Sequence, residues 1–182
     1  MTKRARLAAL VVGLAGLFVV LSRTTLTLPG ARLSREQVKA LAWEVRSKYY
    51  PGVRINMLAA IAEIESDRNP LAVRFEPMIG DASIGLMQVL LSTAQWLAMD
   101  MGARAFGVPS AADLLDPMKS MYFAAAYIHF LQHYRDETHS EEWIVRSYNG
   151  GPGNLSSATE EYYRRYLKVF DEVAFVRLEI GS

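Results

Sequence analysis

A mainly α domain behind an apolar N-terminal helix is the architecture this chain predicts, and three observations predict it. Apolar residues after residue 33 recur at helical spacing, and no segment alternates as a strand. The helix starts are marked: Ser34 with Gln37 three residues on is a capping-box pattern, and Asp116-Pro117 is a cap with proline at the first helical position. The stops are marked too, by Tyr50-Pro51-Gly52, Asn69-Pro70 and Asn149-Gly150-Gly151-Pro152-Gly153.

In chain order, Lys3, Arg4 and Arg6 precede an uncharged apolar run over residues 7–21, which Arg23 closes. The run lies between the roughly 7–15 apolar residues of a signal peptide and the roughly 17–25 of a spanning helix. No Ala-x-Ala cleavage pattern follows it, so an uncleaved signal anchor over residues 1–23 is favoured over a cleaved signal. The positive end would stay in the cytoplasm and the remainder would be exported to the cell envelope. Residues 24–33, with Pro29-Gly30, read as a linker, and residues 34–182 as one domain.

Within that domain the first helix carries Val38, Leu41, Ala42, Val45 and Tyr49 on one face. Asn56 is a candidate cap for the next, which holds Leu58, Ile61, Ala62 and Glu65 at helical spacing. Residues 71–84 look irregular, with room for at most a small β element between Val73 and Val89. Ser92 or Thr93 is expected to cap a helix through Trp96 and Leu97. A short helix over 110–115, one after Pro117, one after Ser140 and an aromatic-rich helix over 159–176 complete the order.

The length suits a single core. Cysteine is absent, which excludes disulfides, thiolate nucleophiles and thiolate metal sites. The formal charge is +1, and three of the 20 basic residues sit in the N-terminal segment, so the rest is slightly acidic. Such a domain has no basic footprint for nucleic acid. His129 and His133 are four apart, but no third ligand accompanies them, and neither a metal nor another cofactor is expected.

Glu65 ends an apolar helical run just before Ser66 and Asn69-Pro70. The residue before a proline is pushed out of the helical region, so the helix should stop near residues 66–68. That places Glu65 in the last turn, at the edge of an apolar wall, where a carboxyl pKa rises and general-acid work becomes feasible. Taken alone, a solvated glutamate at a helix end is the commoner reading. Three further places hold polar or small residues in a suggestive order: Gly85-Leu86-Met87-Gln88, Ala124-Ala125-Ala126-Tyr127, and Tyr148-Asn149-Gly150-Gly151-Pro152-Gly153.

With Glu65-Ser66 and Asn69-Pro70, those blocks resemble the lytic transglycosylase family, lysozyme-like enzymes of the soluble lytic transglycosylase type with goose-type lysozymes as cousins. The resemblance spans about residues 56–166. It implies a lysozyme-like single domain acting on peptidoglycan glycan strands, with Glu65 as the single catalytic acid. Gln88 matches a groove-lining glutamine, Tyr148 the tyrosine whose hydroxyl contacts the catalytic carboxyl, and Asn149 its neighbour. Ser66, Ser83 and Met87 stand where the family has supporting or substrate-binding groups. It implies cleavage of the β-1,4 bond between N-acetylmuramic acid and N-acetylglucosamine, with a 1,6-anhydro-muramyl product. Leu90 and Leu91 depart from the family's usual methionine and proline.

Two other acids need placing. Glu63 lies about 200° round the helix from Glu65 and should face away. Asp81 stands near where goose-type enzymes hold a water with an aspartate. In the groove it would make the protein a lysozyme-type hydrolase; as a turn residue it would not. A non-catalytic glycan-binding protein is the third reading. Of the tyrosines at 162, 163 and 166, the expectation is Tyr162 or Tyr166 in the core and another at the groove edge.

Overall fold

The computed structural model describes residues 32–174. The apolar run over 7–21 lies outside them, and among the described residues no helix is long and apolar enough to cross a membrane.

Helix α1 (Arg35–Lys48) opens on the expected capping box: Ser34 accepts from the Gln37 backbone while the Gln37 side chain accepts from Ser34 N–H. Helix α2 (Ile55–Ser66) follows, and it ends where the Asn-Pro break requires. Its C-cap Asp67 turns left-handed at φ 50° and returns its N–H to Ala62 and Glu63. The N-cap is Arg54, without a side-chain bond, so Asn56 sits inside the first turn and is not the cap.

The stretch after Pro70 forms a three-stranded antiparallel sheet, β1 (Val73–Glu76), β2 (Asp81–Ile84) and β3 (Val89–Leu90), in the order β1-β2-β3. Arg74 lies opposite Ser83 and Glu76 opposite Asp81, and Ser83 also faces Leu90. Strands this short leave little alternation to read, which is why the segment looks irregular as sequence. Helix α3 (Leu91–Met99) starts straight from β3, with Leu90 at the N-cap position. The expected caps Ser92 and Thr93 are within it, and its second N–H is taken instead by the Asp81 carboxylate (Ser92 N to Oδ2, 3.2 Å).

The short α4 (Ala111–Leu114) precedes α5 (Pro117–Gln132), where Asp116 accepts from the Met118 and Lys119 backbone as the Asp-Pro signal predicts. A 3-10 turn (Tyr134–Asp136) leads to α6 (Glu141–Gly150), capped by Ser140, and α7 (Ser157–Ala174) closes the described chain.

Helix α2 is the axis of the domain. Met57, Leu58, Ala59, Ala60, Ile61 and Ala62 are all buried, so it is apolar around its circumference and has to be enclosed. The enclosure comes from α1, α5 and α7, with α6 bracing α5 and α7. Each large aliphatic buried here contributes roughly 1.5–3 kcal/mol. Glu63, the polar exception on the outer side, forms ion pairs with Arg35 (3.1 Å) and Arg68 (3.0 Å) and faces away from Glu65's side of the helix, as expected.

The Gly85-Leu86-Met87-Gln88 turn is driven into this core, with Leu86 and Met87 fully buried. Gly85 has φ +79°, and a Cβ there would lie 1.9 Å from the Leu114 carbonyl oxygen, a backbone atom that cannot step aside. Gly80, at the outer turn between β1 and β2, has φ +63° with open space around it. Gly80→Ala therefore meets only the left-handed penalty of about 1–2 kcal/mol, whereas Gly85→Ala adds a backbone collision and should lose on the order of 3 kcal/mol or more. Urea unfolding of the two variants measures the difference; equal losses would mean that the close approach at Gly85 does not constrain the fold.

Candidate active site

Glu65 occupies the last turn of α2 and lines a cleft of about 430 Å³. The sheet contributes Arg74, Glu76, Ile79, Ser83, Val89 and Leu90 to its walls. Gln88 and Thr93 come from the following turn and helix, Tyr127 from α5, and Tyr148, Asn149, Gly150 and Gly151 from the end of α6. The four motif blocks, spread over nearly ninety residues, thus meet around one carboxyl group.

Protein encloses that carboxyl on all but the cleft side, where it keeps partial exposure. Burial pushes its pKa up from 4.5 to about 7. Opposing this are a hydrogen bond from Tyr162 and the positive charges of Arg74 and Arg165, while the negative charge of Glu76 adds to the rise. Removing a carboxylate from water is the largest effect, so Glu65 keeps a proton up to about neutral pH, where an exposed glutamate has long released it.

The recorded donor to Glu65 is Tyr162 of α7, whose hydroxyl lies 2.7 Å from Oε1. Tyr148, expected in that role, instead donates to the Met87 carbonyl oxygen at 2.9 Å. Its ring still lines the cleft, tilted against Tyr127 with centroids 5.6 Å apart. Burial and the Glu65 charge raise both phenols well above their usual range, which keeps them as donors. Arg165, one turn from Tyr162, donates to the Ile64 carbonyl at 2.8 Å and so closes one of the open carbonyls at the end of α2.

The other expected residues divide between the cleft and its support. Gln88, Ser83 and Asn149 line the cleft. Gln88 is held at φ 47° and its amide donates to the Ala72 and Gly85 carbonyls at 3.0 Å each, so it both faces the cleft and fixes the turn beneath it. Ser83 donates to Glu76 at 3.1 Å. Met87 is a correction: its side chain is fully buried and absent from the cleft lining, because the turn points it into the core. Ser66 is another, since its buried hydroxyl donates to the Leu86 carbonyl at 2.7 Å and so ties α2 to the turn instead of facing the cleft.

Asp81 also lies off the cleft lining. Its Oδ2 accepts from Ser92 N–H and, at 2.6 Å, from the Ser92 hydroxyl, and its Oδ1 from Ala82 N–H. It is the remote cap of α3, which is why α3 needs none of its own. The second carboxylate in the cleft is Glu76, paired with Arg74 at 2.7 Å. Both escaped the sequence reading, although in Val-Arg-Phe-Glu the two charges fall on alternate positions and so on one face of a strand. The expectation is Tyr162 or Tyr166 in the core: Tyr162 is 5% exposed, Tyr166 fully buried and Tyr163 half-buried. A core tyrosine whose hydroxyl needs a partner was the available signal. His133 Nδ1 lies 2.8 Å from the His129 carbonyl oxygen, and among the described residues no group of three or more His, Asp or Glu is placed to hold a metal.

With this geometry the chain can be set beside known proteins. The Transglycosylase SLT domain family matches residues 44–169. Membrane-bound lytic murein transglycosylase C of Yersinia enterocolitica serotype O:8 is 32% identical over 145 residues, covering 77% of this chain and 38% of that protein. The enzyme of the same description from Serratia proteamaculans is 30% identical with the same coverage. The chain thus spans about two fifths of the length of these relatives. The 70 kDa soluble lytic transglycosylase of Escherichia coli, as a crystal structure, superposes with a TM-score of 0.49 at 23% identity, over 71% of this chain and 20% of that one. The family match covers more than half of the chain and contains Glu65, the turn at Gly85 and all of α5 and α6: this protein belongs to the transglycosylase SLT family.

Proposed function

We propose that the protein is a peptidoglycan lytic transglycosylase in which Glu65 is the general acid and then the general base. The observation that carries this reading is a carboxyl whose pKa burial raises to about 7, hydrogen-bonded by a phenol and lining a cleft built from the family's motifs. Ordinary glycosidases use two carboxyl groups, the second as nucleophile or as base for water. Asp81 is engaged by Ser92 off the cleft lining, and Glu76 is paired through Oε1 with Arg74 and Ser83, so on this reading Glu76 is assigned to Arg74 and not to a water.

With one acid the substrate supplies the rest. Glu65 donates its proton to the glycosidic oxygen between N-acetylmuramic acid and N-acetylglucosamine. As that bond breaks, the acetamido carbonyl oxygen of the muramyl sugar bonds to the anomeric carbon. The resulting Glu65 carboxylate takes the proton of the sugar's 6-hydroxyl, whose oxygen displaces the acetamido oxygen and closes the 1,6-anhydro ring. Glu65 ends protonated and no water is consumed. Proton transfer by a positioned group of this kind contributes about 10²–10⁴-fold. The Tyr162 hydroxyl fixes which carboxyl oxygen carries the acidic proton, because it occupies Oε1. The relatives' names, membrane-bound lytic murein transglycosylase, support a setting in the cell envelope. Residues 1–23 would be the anchor there, more readily uncleaved than cleaved.

Mass spectrometry of products from purified glycan strands tests the reaction. Anhydro-muramyl ends are expected; reducing ends would make the protein a hydrolase, and intact strands would remove the enzymatic reading. Glu65→Gln should yield no products while still binding glycan.

The raised pKa has two further consequences. Activity should fall as pH rises through about 7, where the acid loses its proton. Donation by Tyr162 favours the ionised form, so Tyr162→Phe should move that limb up by about one pH unit and lower kcat on the order of tenfold through lost orientation. A pH–rate profile of the two proteins decides it, and an unmoved limb would remove Tyr162 from the site.

The second consequence concerns stability. In the unfolded chain Glu65 ionises at its ordinary 4.5 and in the fold at about 7. The native state therefore binds the proton more tightly, and stability present below pH 4.5 is lost progressively up to pH 7. Glutamine has no proton to lose. The stability of Glu65→Gln relative to wild type should thus rise between pH 4.5 and pH 8, by up to about 3 kcal/mol, as read from urea unfolding at the two pH values.

A further inference from the structure

Among the described residues that line the cleft, Arg74 is the one cation. Its side chain is 48% exposed, and it stands two residues from Glu76 on β1, so both project from the same face of the strand toward the cleft. The pair is one-sided. Arg74 donates through Nε to Glu76 Oε1 at 2.7 Å, and the same oxygen accepts from Ser83 at 3.1 Å. No acceptor among the described residues is recorded for the two terminal nitrogens of Arg74. Glu76 and Ser83 therefore hold the guanidinium by its inner edge and leave its outer fork free.

A guanidinium fork is a poor ligand for sugar hydroxyls and a good one for a carboxylate, which it meets with two parallel N–H···O bonds. Glu65 does not compete for it while protonated. The glycan of the proposed reaction offers carboxylates in one place only. Its N-acetylglucosamine units are neutral, whereas each muramyl unit carries a lactyl group, either as a free carboxylate or joined to a peptide stem that bears carboxylates of its own.

We propose that Arg74, braced by Glu76 and Ser83, binds a carboxylate of the muramyl substituent and so selects muramyl-containing strands over neutral N-acetylglucosamine polymers. This rests on the cleft being the glycan site of the preceding section. Arg74 is on this account a specificity residue, and Glu76 its brace and competitor.

The test is calorimetric binding to the full chain in the Glu65→Gln background, which prevents turnover and removes the charge of Glu65. Three probes are used: chitotetraose, with no carboxylate; strands stripped of peptide, with free lactyl carboxylates; and strands bearing stem peptides. Arg74→Gln should weaken one or both carboxylate-bearing probes roughly 5- to 10-fold, allowing for exposure of the site, and leave chitotetraose unchanged. A loss confined to stripped strands assigns the lactyl carboxylate, and one confined to stem-bearing strands assigns the peptide. Glu76→Gln removes the competing acid and should tighten the same probe. Equal weakening of all three probes by Arg74→Gln, no weakening of any, or unchanged binding in Glu76→Gln overturns the proposal. Failure of the Glu65→Gln parent to bind any of the three overturns the glycan-cleft reading itself, and this proposal with it.

Discussion

The structure depends on keeping a polar turn satisfied inside an apolar core. The Gly85-Leu86-Met87-Gln88 turn carries its backbone into a region where no solvent can pair with it, and a buried backbone group left unpaired costs about 1–3 kcal/mol. Its groups are met from several elements and from within the turn itself. Ser66 of α2 donates to the Leu86 carbonyl, Ser120 of α5 accepts from Met87 N–H, and Tyr148 of α6 donates to the Met87 carbonyl. The Gln88 amide covers the Gly85 and Ala72 carbonyls, and Gly85 N–H itself reaches Ala72 at 2.7 Å. The turn is the knot at which three helices and the sheet are fastened, and Glu65 sits one residue from its first tie.

This explains why motif residues read as substrate contacts turn out to be supports. Ser66 and Tyr148 spend their hydroxyls on carbonyl oxygens of the turn. Sequence shows that a serine follows the acid, but not whether its hydroxyl faces inward or outward. That choice depends on Leu86 arriving from twenty residues away. Met87 was misplaced for a related reason: in a tight turn one side chain faces the core and its neighbour the cleft, and only the backbone geometry, with Gln88 at φ 47°, says which is which.

Most of the helical frame was legible because its signals are local. The capping box at Ser34, the Asp-Pro start of α5, the Ser140 cap and the Asn-Pro stop after α2 each act within a few residues. The errors fall where a distant group replaces a local one. Asn56 and Ser92 are good caps in sequence, yet α2 starts at Ile55 without a side-chain cap and α3 is capped across space by Asp81. The site shows the same division. Glu65 could be singled out from its helix end and its companions, and Glu63 dismissed by helical geometry. Arg74 and Glu76 required a strand too short to announce itself, and Tyr162 required knowing which of several tyrosines meets a carboxyl 97 residues earlier.

That separation makes the surroundings of Glu65 dependent on a distant element. Glu65 sits on α2, but its phenol and the arginine closing its helix come from α7, the last helix of the described chain. Contacts across so long a span carry a loop-closure cost that the packing of the two helices has to offset. The partners of Glu65 and of its helix end therefore depend on the docking of one amphipathic helix, and local fraying of that helix would remove them while the remainder of the domain stays folded. Completion of the site around Glu65 is thus tied to the completion of the fold.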